Sequence, residues 1–544
     1  MARKTRKNNQ IRNTKYKNAN TNLQNFNRSK KRNKFKKTRK QYAGSVSNYM
    51  EKIKSYSSLK VLKPKSYYFN LPEGKKIFAF ADVHGDLPLL VKLLEMSGVM
   101  KQGVKLPQPI EEGPSKGLYD EVKMQIYFNN LKWTGESNYV VQIGDQIDRS
   151  RDVINHQSFQ DEGSTFEIIY LLLKLNSLAI EFNKKLNPYL KSDQNYVFSM
   201  LGNHEIMNVQ GDLRYVSLSE FKVFTERLRY TKSRTNNENG HNRNSKSRIY
   251  KYGNESTSTS ISREKAYQPG GVIAKLMAQH YNTVLQIGPF IFVHGGLTEK
   301  VIREYNLNRL NELVSNYLLG KQVNERDLNR IINGDQSVLW NRELSQDSHT
   351  EIRRSINSGN NLDLSIKKKL RNIFTSYNDQ NKYNQYPQVL CVGHTPQYFV
   401  KEDANLLFST PIHRVNNSHS HNHNHNHNHN HSRNHSYNHS RGLSASRNRS
   451  YGDSYSRDQG DNNQVKNTKT KVFHIKLKKS GDTQNSVNSS SISGILHDVL
   501  RLDTGSSRAF GKIKSVHSNR RPQIAQLSIN TINSEKMIEI KLIS

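Results

Sequence analysis

The sequence predicts an α/β layered fold in one folded domain that long polar segments flank and interrupt. Five short apolar runs, rich in β-branched and aromatic residues, recur along the chain, and each stops abruptly at small and polar residues. Helical patterns lie between these runs. Hydrophobic residues make up only 34% of the 544 residues, which is low for one continuous globule, so polar segments must dilute a smaller core.

Each apolar run is a predicted strand, and the five lie within residues 75–85, 138–149, 194–205, 289–297 and 387–395. Further strands are predicted within 470–479, 494–511 and 523–530. Predicted helices cover Leu87–Met96, Phe166–Leu186, Gly271–His280 and Glu299–Leu319. In layered folds of alternating strands and helices, ligands bind beyond the carboxyl ends of the strands.

Polar segments set the predicted domain boundaries. Residues 1–60 form a basic arm, and residues 1–40 alone carry sixteen Lys or Arg and no Asp or Glu, so they cannot bury enough surface to fold. Residues 231–262 are a polar insertion, and 412–470 are a low-complexity insertion with a His-Asn repeat and a Ser/Arg stretch. The folded domain is thus predicted over 61–411, with strands in 471–544 completing it.

Composition narrows the classes of partner and compartment. The net charge of +37 and the basic arm predict contact with a polyanion such as nucleic acid, or a nuclear address, although a solvated tail would look the same. The sequence has no apolar run long enough for a membrane helix and no secretory signal. The single cysteine, Cys391, suits a reducing intracellular compartment, cytoplasm or nucleus. Frequent Asn, Lys, Ile and Tyr point to an A/T-rich genome, such as that of a large DNA virus or a protist.

The polar residues at the ends of the five predicted strands share one chemistry. They are Asp82 and His84; Asp145, Asp148 and Arg149; Asn203 and His204; His294; and His394. Carboxylate, amide oxygen and imidazole are ligands for divalent ions, and two ions about 3.5–4 Å apart can clamp the oxygens of a phosphoryl group. A guanidinium matches phosphate oxygens, and a histidine that is not a ligand can protonate a leaving group. The set therefore predicts metal-assisted phosphoryl chemistry.

The motifs DxHG, GDxxDR, GNHE, HGG and GHT, in that order, resemble the phosphoprotein phosphatase (PPP) family of binuclear metallophosphoesterases. The runs "LGNHEIMNVQGDLRYVS", "YQPGG", "FVHGGL", "VGHTPQ" and "LDTGSSRAFG" are most similar to its bacterial-like branch, the Shewanella-like protein phosphatases. This resemblance implies a calcineurin-like metallophosphoesterase sandwich, with two central mixed β-sheets flanked by helices. Ala81 and Ser150 stand where the family usually has glycine.

The resemblance also implies roles for named residues. Two divalent or trivalent ions (Mn, Fe or Zn) are expected, the first held by Asp82 and His84, the second by Asn203, His294 and His394, with Asp145 bridging both. His204 would be the general acid, oriented by Asp148. Arg149 and Arg342 would bind the substrate phosphate.

The expected activity is that of a metal-dependent phosphomonoesterase on phosphoproteins, at Ser/Thr or Tyr, in which a metal-bridging hydroxide attacks phosphorus directly and no phosphoenzyme forms. Two alternatives stay open from the sequence. One is a nucleotide or diadenosine-polyphosphate hydrolase on the same scaffold. The other is a scaffold protein that binds nucleic acid or another polyanion through residues 1–40.

Overall fold

The structure is a computed structural model that describes residues 65–189, 195–224, 263–345, 362–396, 471–477, 498–503, 507 and 522–543. All of these belong to one compact unit of the chain. The basic arm and the insertions at 231–262 and 412–470 lie outside the described residues, so the domain boundaries drawn from them stay predictions. Among the described helices, none is long and apolar enough to cross a membrane.

The described strands, in chain order, are β1 (Tyr68–Phe69), β2 (Lys76–Phe80), β3 (Met100–Gln102), β4 (Leu131–Trp133), β5 (Tyr139–Gln142), β6 (Val197–Met200), β7 (Tyr281–Asn282), β8 (Val284–Ile287), β9 (Phe290–Val293), β10 (Val389–Val392), β11 (Lys471–Lys476), β12 (Asp498–Arg501), β13 (Ile524–Ile532) and β14 (Glu535–Ile543). The described helices are α1 (Leu87–Met96), α2 (Glu121–Asn129), α3 (Thr165–Leu186), α4 (Asn203–Val209), α5 (Val272–His280), α6 (Glu299–Glu304), α7 (Leu307–Leu318), α8 (Glu325–Ile332) and α9 (Leu362–Asn381).

The larger sheet has the strand order β11-β14-β13-β2-β5-β6-β7. Strands β2, β5, β6 and β7 run parallel, so their carboxyl ends meet at one edge of the sheet. The long hairpin of β13 and β14 joins them antiparallel through β13 and β2. Strands β2, β5 and β6 are almost wholly apolar and buried, as expected for parallel strands with both faces covered.

The smaller sheet has the order β1-β8-β9-β10-β12, with β9, β10 and β12 parallel and β8 antiparallel to β9. It faces the larger sheet: the ring of Phe69 in β1 lies 4.9 Å from the ring of Phe198 in β6. Helices cover the outside; α3, for example, packs on β6. The predicted fold, two central mixed sheets flanked by helices, is therefore confirmed.

The predicted helix Glu299–Leu319 is wrong as one element, because the structure breaks it into α6 and α7. Asn306 has an extended backbone at the break, and its side chain accepts a hydrogen bond from the backbone N–H of Arg309 at 2.8 Å. Such a cap starts a new helix. The apolar residues keep a helical spacing across the break, so the sequence pattern alone does not reveal it. Helix α1 begins and ends as predicted, with the Asp86 carboxylate accepting from the N–H of Leu89.

Candidate metal centre

The carboxyl ends of five parallel strands from both sheets bring six predicted metal ligands together. Strands β2, β5 and β6 supply the ligands from the larger sheet, and β9 and β10 those from the smaller sheet. All six side chains are buried: Asp82, His84, Asp145, Asn203, His294 and His394. Two overlapping groups within them and their neighbour His204 could hold a metal ion, one formed by His84, Asp145 and His204, the other by Asp145, His294 and His394.

Asp145 lies at the centre of this cluster. Its Oδ2 is 3.2 Å from His294 Nε2 and 4.0 Å from His84 Nε2. Burial alone would raise the pKa of Asp145, but the charges of His294 and His204 outweigh burial and hold that pKa well below its usual range. The carboxylate is therefore ionised and shared by histidines on either side, which is the position required of a bridging ligand.

Two histidines are oriented by backbone carbonyls. Nδ1 of His84 lies 3.3 Å from the carbonyl oxygen of Ile147, and Nδ1 of His294 lies 2.8 Å from that of Ile143. With Nδ1 as the donor, Nε2 of each ring is left to face the Asp145 carboxylate. Burial lowers the pKa of His294, but the charges of Asp145 and Asp82 outweigh burial and raise that pKa to about 10. The Nε2 proton of His294 therefore lies between imidazole and carboxylate, where a metal cation would replace it. This arrangement fits a divalent metal.

His394 and Asn203 complete one side of the centre. The Nε2 atom of His394 is buried and has no hydrogen-bond partner among the described residues. Its pKa is held well below the usual range, first by burial and then by the charge of His294. Asn203 Oδ1 lies 2.9 Å from His294 Nε2. A buried neutral imidazole with an unsatisfied nitrogen is a further sign that the residues fit a metal.

Asp82 lies on the other side and has a neighbour that the sequence did not single out as a site residue. Asp82 Oδ2 is 3.7 Å from His84 Nε2, and Asp82 Oδ1 accepts a hydrogen bond from the backbone N–H of His394 at 3.2 Å. Burial and then the charge of Asp503 raise the pKa of Asp82 well above its usual range. Asp503 is the second residue after β12, just as Asp82 is the second residue after β2, and that pattern could have revealed it.

Four of these side chains stand on left-handed backbone, with φ of 44° at His84, 53° at Asp145, 70° at Asp148 and 64° at His394. Such a conformation costs about 1–3 kcal/mol for a non-glycine residue and persists where the surroundings enforce it. The chain therefore turns sharply after these strands, and the turns bring the side chains together at the centre.

Glu205 connects the chain at the ends of strands β5 and β6. Its carboxylate accepts hydrogen bonds from the backbone N–H groups of Gly202, Asp145 and Gln146, at 2.8, 2.9 and 2.8 Å. Burial and then the charge of Asp145 raise the pKa of Glu205 to about 7. The glutamate of the GNHE run therefore holds the loop after β5 against the start of α4.

His204 and Asp148 form a pair beside the cluster. Nδ1 of His204 lies 2.9 Å from Asp148 Oδ2, while Nε2 is 3.8 Å from Asp145 Oδ2. Two residues that sequence reasoning missed also contact Asp148. The Asn208 amide lies 2.9 Å from both carboxylate oxygens, and Arg263 Nη2 lies 3.3 Å from Oδ1. Asn208 follows His204 by one helical turn, a spacing that could have indicated it; Arg263 carries no such signal.

The two predicted phosphate-binding arginines have different surroundings. Arg342 is exposed, and its charge contributes to the lowered pKa of His394, after burial and His294, so it lies near the centre. Arg149 is fully buried and outside the cluster. Its Nη1 donates to the carbonyl of Gly85 at 2.8 Å and to Glu162 Oε1 at 3.0 Å. The structure thus brings eight of the predicted site residues together at one edge, with Arg342 near them and Arg149 turned away.

Comparisons with known proteins agree with this arrangement of motifs. The chain is 27% identical over 288 residues to Shewanella-like protein phosphatase 2 of Arabidopsis thaliana, a match that covers 51% of this chain and 60% of that protein. It is 30% identical over 220 residues to an uncharacterized protein of Acanthamoeba polyphaga mimivirus, covering 38% of this chain and 72% of that protein. The chain is thus similar to the Shewanella-like protein phosphatases.

The match to the Arabidopsis member of the Shewanella-like phosphatases spans less than two thirds of that protein's length. Among solved structures, the cold-active protein-tyrosine phosphatase of a psychrophilic Shewanella species is 18% identical, with a TM-score of 0.33 over 64% of this chain and 70% of that chain. A mutant form of a cold-active protein tyrosine phosphatase is 19% identical, with a TM-score of 0.35 over the same shares. No family model matches the chain.

Proposed function

We propose that the chain is a metal-dependent phosphomonoesterase that removes phosphate from phosphoproteins. The observation that carries the proposal is the position of Asp145, an ionised carboxylate between His84 on one side and His294 on the other, with the His204–Asp148 pair adjoining it. The name of the Arabidopsis relative, a protein phosphatase, supports phosphoprotein substrates.

Two metal ions would be held by the residues of the centre. Asp82 and His84 would bind one, Asn203, His294 and His394 the other, and Asp145 both. Manganese, iron and zinc all suit carboxylate, amide and imidazole ligands. Such ions, when bound, would neutralise phosphate charge and lower the pKa of a coordinated water.

His204 would supply a proton to the leaving oxygen. Because its Nδ1 faces the Asp148 carboxylate, the ring presents Nε2 toward the cluster. A proton at that atom is therefore placed on the side where a substrate would lie, and Asp148 keeps the ring in this orientation. Arg342 would bind phosphate from the exposed rim. The role of Arg149 in phosphate binding stays a prediction from the family resemblance.

Further proposals rest on the sequence. Residues 1–40 would bind polyanions through their sixteen positive charges. A reducing compartment agrees with a single cysteine, Cys391, which is buried in β10. An origin in a large DNA virus agrees with the mimivirus relative.

The test is hydrolysis by the full chain of a panel of phosphoserine, phosphothreonine and phosphotyrosine peptides, with nucleotides and diadenosine tetraphosphate as comparison substrates and metal analysis of the same protein. We expect phosphopeptide hydrolysis that depends on two metal equivalents. Activity on a nucleotide without activity on any phosphopeptide would overturn the proposed substrate class.

A further inference from the structure

The segment "DRSR" contains two arginines, and their surroundings differ sharply. Arg149, the residue expected to bind phosphate, has no exposed surface, and its guanidinium is 3.0 Å from the Glu162 carboxylate. Glu162 is fixed in turn by the hydroxyl of Tyr119 at 2.5 Å. Reaching a substrate would require Arg149 to break a buried ion pair. The contacts of Arg149 therefore indicate a structural role, in which it fixes the loop that follows β5.

Arg151, two residues further along the same loop, is only half-buried. Its Nη1 donates to the carbonyl oxygens of Asp148 and Ser150, at 3.0 and 2.8 Å. The guanidinium carbon lies 5.7 Å from the centre of the Tyr215 ring. The Tyr215 ring also lies beside His204, with the two ring centres 5.0 Å apart. Arg151 is thus held next to the His204–Asp148 pair.

The loop that carries Arg151 is joined to the loop that carries Tyr215. The backbone N–H of Ser150 donates to the carbonyl of Tyr215 at 2.9 Å, and His156 Nδ1 lies 2.8 Å from the carbonyl of Val216. The two loops therefore present Arg151 and Tyr215 as one unit.

The guanidinium of Arg151 interacts electrostatically with carboxylates of the metal centre. Burial lowers the pKa of Arg151 itself, and the carboxylates of Asp145 and Asp148 oppose this effect. The guanidinium thus lies near the carboxylates of the cluster, where a phosphate dianion bound to the metals would add further negative charge.

We propose that Arg151 binds the substrate phosphate at this site, that Tyr215 positions it, and that Arg149 holds the loop through Glu162. This inference rests on the proposed function, since it assigns a residue to the same site. A guanidinium is a planar fork of donors that matches two phosphate oxygens.

The test compares Arg151→Gln, Arg151→Lys and Arg149→Gln, with Arg303→Gln as the control at an exposed ion pair on α6. Binding of inorganic phosphate to the metal-loaded proteins is measured by calorimetry, and KM and kcat are measured on an aryl phosphate. Arg151→Gln should weaken phosphate binding and raise KM by about 10–100-fold, the usual effect of losing hydrogen bonds to a charged group, with metal content unchanged. Arg151→Lys should restore only part of the affinity, because an ammonium lacks the planar fork.

Arg149→Gln should instead lower the melting temperature, and Arg303→Gln should change neither property. Tyr215→Leu should weaken phosphate binding less than Arg151→Gln, and Tyr215→Phe should restore it, because the ring alone does the positioning. Phosphate affinity that is unchanged in a folded, metal-loaded Arg151→Gln protein would overturn the inference. Wild-type protein that binds phosphate but hydrolyses no ester would contradict the proposed function and leave the role of Arg151 measurable by calorimetry.

Discussion

His204 Nδ1 lies 2.9 Å from Asp148 Oδ2, and neither side chain is more than 9% exposed. Asp148 also accepts hydrogen bonds from the Asn208 amide and from Arg263, so its carboxylate is held by three different side chains. A carboxylate fixed in this way keeps the imidazole in one orientation. The histidine can therefore serve proton transfer without also serving as a metal ligand.

Replacing His204 by alanine should reduce turnover while both metals stay bound. Loss of a general acid costs about 10²–10⁴-fold. Because a good leaving group needs little protonation, the loss should be smaller for an aryl phosphate than for an alkyl phosphate or a phosphoserine peptide. The measurement is kcat on both substrate types, with metal analysis as the control. An equal loss on both substrates would contradict the acid role, and loss of metal would make His204 a ligand, as its grouping with His84 and Asp145 allows.

Replacing Asn208 by alanine should lower kcat by about 10–100-fold, the usual effect of removing a residue that orients the active groups. The substitution removes the amide that donates to both Asp148 oxygens and the Oδ1 that accepts from Arg263 Nε at 2.7 Å. Metal content and KM should stay close to those of the wild type, because Asn208 lies behind Asp148 and contacts no ligand of the centre. A pH–rate profile that shifts with the substitution would show action through His204. An unchanged profile with a lowered melting temperature would show a structural role alone.

Much of the site could be predicted because its residues immediately follow strands whose apolar pattern is unambiguous. Asp145 and His294 are predictable in this way: a buried run ends, and the next polar residue lies at the sheet edge. One strand pairing that the sequence does not reveal is that between β10 and β12, which places Asp503 near Asp82 across more than one hundred residues of chain.

What the sequence could not predict is the direction of each side chain. Arg149 and Arg151 differ by two residues, and both are cations next to a motif aspartate, yet Arg149 points to Glu162 and Arg151 to Tyr215. That difference depends on Glu162, which no local pattern connects with Arg149. Strand β14 was also missed, because its half-buried Glu539 and Lys541 alternate with buried Ile and Leu residues and dilute the apolar signal.

Replacing Asp145 by asparagine should remove nearly all activity and at least one metal equivalent. The substitution keeps the volume of the side chain but removes the charge that faces His84, His204 and His294 within 4.0 Å. Metal analysis of the purified variant after dialysis against the metal measures the loss. Asp212→Asn, at an exposed pair with Arg214, is the matched control and should keep both equivalents. A variant with two metals and full turnover would contradict the binuclear centre.

Removing residues 412–468 should leave activity and folding largely intact. The segment is predicted from the sequence to be low in complexity, and long surface insertions change the entropy of loop closure only slightly. The connection has to pass from β10 in the smaller sheet to β11 in the larger one, so a deletion variant should keep residues 397–411 and 469–470 as the link. Activity on an aryl phosphate and the melting temperature are the measurements. Loss of both would show that the segment carries structure.

Replacing Gly202 by alanine should destabilise the centre through contact rather than backbone strain. Gly202 has φ of −105° and ψ of 179°, an extended conformation open to alanine. A methyl group there would overlap Asp145, meeting both its backbone nitrogen and its carboxylate, and neither can move without displacing the bridging ligand. Overpacking of this kind costs about 1–3 kcal/mol. We expect a lower melting temperature and weaker metal binding, both measured by thermal denaturation with and without added metal.

Gly103→Ala is the control, because its added methyl group would lie 3.5 Å from the exposed Asn130 side chain. If the two variants melt and bind metal alike, the close approach of the β5 and β6 tips does not constrain the site.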